Sequence, residues 1–79
     1  MNRIKEVKPL EDYKLLIEFE NAEKRIKDMK PYLEKGVFSK LKDKEFFHSV
    51  KIAYGTVCWG DDIDLCADSI YETSSIYEE

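Results

Sequence analysis

The chain has 79 residues, 43% of them hydrophobic and 38% charged, with a net charge of −4. That length limits it to one domain, spanning residues 1–79, and ten aromatic residues argue against a disordered chain. No stretch approaches the ~20 apolar residues that cross a bilayer, and acidic Glu6, Glu11 and Asp12 sit where a secretory leader would be apolar, so the expectation is a small cytoplasmic domain rather than a membrane protein, a secreted precursor or a multidomain enzyme.

Val7-Lys8-Pro9-Leu10 reads as an extended lead-in, because Pro9 disfavours helix at Lys8. Tyr13, Leu15, Ile17 and Phe19 then alternate with Lys14, Leu16, Glu18 and Glu20. This period of two predicts a half-buried strand. Leu16 breaks the polar face and marks a second contact surface. Asn21, which tolerates left-handed backbone, predicts a hairpin turn over residues 20–23. A return strand over 23–29 follows, with Ile26 inward and Lys24, Arg25 and Lys27 outward.

Pro31 ends that strand, since it cannot donate to a ladder. Gly36 predicts a bend, and Asp43 is a suitable N-cap for a short helix over 44–48. Val50–Tyr54 and Val57–Trp59 predict a second hairpin around Gly55. Ile63-Asp64-Leu65 reads as a short extended piece, Ala67–Glu72 as a short helix, and residues 72–79 as a frayed tail. Neither segment between strands supports a crossover helix, so the strands should pair antiparallel. The predicted class is α+β: a small, mainly antiparallel sheet of two β-hairpins, with one short helix between them and one at the C-terminal end.

Charge is unevenly spread. All 13 basic residues lie in 1–51 against 10 acidic ones, a net of +3, whereas 52–79 holds seven acids and no base. Phosphate contacts need clustered Lys and Arg, and here they are interleaved with acids, so direct nucleic-acid binding is not expected. Cys58 and Cys66 are too few for a disulfide framework. With the lone His48 they cannot complete a four-ligand zinc site without carboxylates. Cys58 reads as a core residue, and no cofactor is expected.

The ordered set of residues resembles a prokaryotic family of unknown function, DUF2442. The resemblance is carried by Asp12-Tyr13-Lys14-Leu15, Ile26-Lys27-Asp28, Gly36-Val37-Phe38, Leu41-Lys42-Asp43, Gly55-Thr56-Val57 with Trp59, and Ile70-Tyr71-Glu72. The chain departs from the family's Trp-Pro-Asn-Gly-like turn with Trp59-Gly60-Asp61-Asp62. The resemblance implies an α+β fold and no established catalytic activity. It also implies neighbours in operons resembling toxin–antitoxin pairs, and in some relatives a following helix-turn-helix, so that any DNA-binding role here needs a partner.

The residues offer one acidic cluster, Asp61, Asp62 and Asp64, with Asp68 downstream. Such carboxylates suit Mg²⁺ or Ca²⁺, but Cys66 and Ala67 stand where a calcium loop wants an acid and a glycine. Asp64 and Asp68 are instead expected to cap turns and the last helix. Trp59 and one of the adjacent Phe46-Phe47 pair are candidate interface anchors. The expected function is a non-enzymatic interaction module that binds another small protein or itself, with Phe47, Trp59, Asp61, Asp62, Asp64 and Asp68 as partner contacts. A small metal- or ligand-dependent enzyme built on 61–68 and a structural homodimer are the alternatives.

Overall fold

In the computed structural model, which describes residues 2–60 and 62–77, the alternating run becomes strand β2 (Lys14–Phe19) with Leu15, Ile17 and Phe19 buried. It lies between β1 (Ile4–Leu10) and β3 (Lys24–Asp28). The lead-in around Pro9 is thus part of a full strand. Proline is tolerated there because β1 is a sheet edge, where one side of the backbone has no ladder to complete.

The first turn forms by a different route from the one expected. Ala22, not Asn21, takes the left-handed backbone (φ 71°), while the Asn21 side chain accepts from the Glu23 N–H at 3.0 Å. The Phe19 N–H donating to the Glu23 carbonyl sets the register, which pairs Leu15 with Lys27 and Leu16 with Ile26. Residues directly opposite share a face. Lys27 therefore points to the core side and Ile26 away from it, the reverse of the sequence reading.

The connector after β3 forms 3₁₀ turns at Lys30–Tyr32 and Gly36–Lys42, then α1 (Lys44–His48). Asp43 caps α1 as predicted, accepting from the Glu45 N–H at 3.1 Å. The second hairpin joins β4 (Lys51–Ala53) to β5 (Thr56–Trp59), with β6 (Ile63–Leu65) beyond it. Its tip has positive φ at both Tyr54 (56°) and Gly55 (76°), the two-residue turn whose twist matches a hairpin.

Every strand pairing is antiparallel, and the α+β class is as expected. The strands nevertheless divide into two sheets, β1-β2-β3-β7 and β4-β5-β6. The connector carries β4 across to the start of β1, where the Ile4 N–H donates to the Gly55 carbonyl at 3.1 Å. The other edge, on β3, is taken by β7 (Ser75–Ile76), which follows α2 (Ala67–Thr73). The expected fraying from residue 72 is corrected accordingly: residues 72–73 continue α2 and 75–76 close the sheet. Besides the β3–β7 ladder, the segment is held by the Tyr77 N–H donating to the Lys24 carbonyl at 3.0 Å and Arg25 Nη1 donating to the Ser74 carbonyl at 3.2 Å. Residues 78 and 79 lie outside the described part.

Leu15, Ile17 and Phe19 meet Phe47, Val57, Trp59, Ile63, Leu65 and Ile70 in one core. α2, whose Ala67 and Ile70 are buried, contributes to that core, which lies on the inner face of the larger sheet. No described helix is long and apolar enough to cross a membrane.

Candidate interaction surfaces

The two aromatic residues expected at an interface are both in the core, which corrects that reading. Trp59 has no exposed surface and Phe47 has 1%. Their rings stack with centroids 6.1 Å apart, and the Trp59 indole N–H donates to the Phe47 carbonyl at 2.9 Å. Burying both satisfies the indole without water, which an exposed site would not need. Neighbours on a short helix do face different ways, as expected, but Phe46 is the half-buried member of the pair and Phe47 the buried one.

The aspartates do not converge either. Asp61 lies outside the described residues. Asp62 receives Lys40 Nζ at 3.0 Å. Asp64 is exposed between buried Ile63 and Leu65, so the strand's alternation turns it outward. Asp68 does not cap α2, whose N-cap is Cys66 with no side-chain bond; it accepts the Asn2 backbone N–H at 3.0 Å. Among the described residues no group of three His, Cys, Asp or Glu side chains is close enough to hold a metal ion. Asp64, Asp68 and Glu72 remain as exposed acids on the β6–α2 surface.

His48 borders a depression of about 410 Å³ with Glu11, Asp12, Tyr13 and Lys44. Asp12 and Tyr13 both have left-handed backbone, φ 65° and 59°. A hydrogen bond from Lys30 Nζ (2.7 Å) holds the Asp12 carboxyl below its usual range. Neither cysteine lines the depression, so it brings no thiol to the histidine.

A larger concavity lies elsewhere, beside Leu16 and Glu18 on the outer face of the larger sheet. A trough of about 490 Å³ runs where β4 stands beside β1. Val7, Leu16, Val50 and Ile52 line it, of which Val7, Val50 and Ile52 also pack against the core, and Lys5, Lys8, Lys24 and Lys51 border it with Glu6 and Glu18. Leu16 belongs there because the pleat turns it away from its buried neighbours Leu15 and Ile17. Its place on the polar face was the sequence signal for this surface. The lysines carried no such signal, since single lysines on a strand read as ordinary solvated residues.

At the other edge, β3 and α2 are clasped by a polar group. Tyr71 donates to Glu23 Oε1 at 2.9 Å and Arg25 Nε to Oε2 at 2.6 Å, while the guanidinium lies 4.0 Å over the Tyr71 ring. The Tyr71 hydroxyl, and after it Arg25, holds the Glu23 carboxyl below its ordinary value of 4.5. A depressed carboxyl contributes stability that is present above the unfolded-state value and fades as pH falls through the folded one. Resistance to urea unfolding should therefore weaken as pH drops below 4.5, and Glu23→Gln should flatten part of that slope. Equal slopes for variant and parent would refute this role for the clasp.

A family model described as "Protein of unknown function (DUF2442)" matches residues 4–75. No curated protein and no solved structure matches the chain.

Proposed function

We propose that this chain, which belongs to the DUF2442 family, is a non-enzymatic interaction module that pairs with another small protein, in an association of the toxin–antitoxin or regulatory type. The observation that carries the reading is the trough on the outer face of the larger sheet. An apolar floor ringed by charged side chains is the anatomy of an interface, where the centre supplies desolvation and the rim supplies orientation. The exposed acids of the β6–α2 surface give the molecule a second charged region of opposite sign. Such an asymmetry orients partners during encounter.

The test is co-expression with the product of the neighbouring coding sequence, followed by light scattering of the purified chains alone and mixed. A stoichiometric complex that loosens at high salt is expected. Two independent species at every salt concentration would sink the proposal.

A further inference from the structure

We infer that the trough takes an extended acidic segment of another protein, one in which aspartate or glutamate alternates with apolar side chains. This rests on the trough being the docking surface.

The charges around it select that chemistry. Lys30, Lys40 and Lys42 each have a carboxylate partner within the chain, Asp12, Asp62 and Glu34 respectively. Lys5, Lys8 and Lys51 are exposed at the trough and make no ion pair or hydrogen bond among the described residues. Three ammonium groups without a partner among the described residues thus border the apolar residues of the trough, in a chain whose overall charge is negative. A segment bearing carboxylates at alternate positions meets the lysines with one set of side chains. Its apolar side chains, on the opposite face of the extended segment, lie on Leu16, Val50 and Ile52, and the flexible lysine stems reach past its backbone to the carboxylates.

An extended backbone suits the place, since both flanking strands are edges. β1 ends one sheet and β4 ends the other, and edge strands present backbone groups without a ladder partner. The same lysines disfavour a second β1 or β4 by like-charge repulsion. Within the trough, Glu6 and Glu18 stand directly opposite each other on β1 and β2. Two like charges so placed oppose one another and repel an incoming acid. They therefore disfavour carboxylates placed over the Glu6–Glu18 pair and weaken the segment's binding.

The experiment measures fluorescence anisotropy of a labelled peptide of alternating glutamate and leucine. Controls are the lysine–leucine counterpart and a peptide of the first composition with its glutamates clustered. The acidic alternating peptide should bind the full chain, more weakly as salt rises. Lys8→Glu with Lys51→Glu should lower its affinity about tenfold or more, because two charge reversals each turn an attraction into a repulsion. Glu6→Gln should tighten it. Circular dichroism confirms that these surface variants fold.

No binding by the acidic peptide would overturn the inference. So would binding unchanged by the lysine reversals, equal binding of the basic peptide, or scattering that shows the reversals dissolving a dimer of the chain itself. Failure here is separable from failure of the proposed function. A neighbour's product that forms its complex equally well with the reversed-lysine variant leaves the module intact and removes the trough. A wild-type chain that forms no complex removes the module instead, while the peptide measurement stands on its own.

Discussion

Trp59→Ala is expected to leave the chain unfolded at room temperature. Trp59 is fully enclosed, stacks on Phe47 and donates its indole proton to the Phe47 carbonyl. Its removal opens a cavity at the point where β5 and α1 meet. Large-to-alanine changes of this kind cost about 3–5 kcal/mol. A domain this size holds only about 3–5 kcal/mol in total, because its small core barely exceeds the entropy of ordering the chain. The loss therefore consumes the whole margin. Trp59→Phe keeps a ring in the stack and gives up the hydrogen bond, so it should lower stability by about 1–3 kcal/mol and still fold. Far-ultraviolet circular dichroism with urea titration separates the two. A Trp59→Ala chain with the parent's unfolding midpoint would show that the stack contributes little.

The second large effect falls on Lys27. Only 5% of its surface is exposed. Its ammonium donates to Thr73 Oγ1 at 2.8 Å and lies 4.7 Å from the Tyr32 ring centroid. The aliphatic stem fills space beside Leu15 while the charge finds a hydroxyl and a ring face, the usual way a long basic side chain tolerates burial. Lys27→Glu sets a carboxylate against the negative face of Tyr32, with Thr73 as its nearest polar neighbour. A buried charge so placed should cost about 3–5 kcal/mol. Lys27→Met keeps the stem and removes the charge, and its unfolding midpoint should stay within about 1 kcal/mol of the parent. If Glu and Met behave alike, the ring and hydroxyl have no bearing on which charge the site accepts.

Lys27 also shows where one-dimensional reasoning stops. Read alone, the alternation of 24–28 leaves two phases, and the apolar Ile26 is the natural inward residue. The phase is decided by the turn, where Ala22 adopts left-handed backbone and the Phe19–Glu23 bond sets the pairing. Shifting a strand by one residue exchanges its faces. Ile26 then joins Leu16 on the outer face, and a lysine enters the core side. The tail is decided in a similar way. Thr73–Tyr77 lacks a strong local pattern, but the free edge of β3 offers it hydrogen bonds that no local sequence reveals.

The candidate surfaces divide in the same way. Leu16 was legible because an apolar residue on a polar face is a local anomaly. Phe47 and Trp59 were not assignable, since a large aromatic residue serves a core or an interface equally well until its neighbours are known. Asp62, Asp64 and Asp68 are close in sequence, yet one turns to Lys40, one to solvent and one to the backbone of Asn2. Proximity along a strand and a helix start does not bring side chains to one point.

What the residues determined on their own is the local order: the alternating strand at 14–19, the Asp43 cap, the Gly55 hairpin and the antiparallel α+β class. Each depends on contacts within a few residues, where side-chain period and backbone preference act directly. The tertiary structure alone decided the split into two sheets, the closing strand at 75–76, the inward turn of Lys27 and the lysine-bordered trough. These depend on which edges and faces distant segments bring together, and that is a competition among long-range contacts which no single stretch of sequence contains.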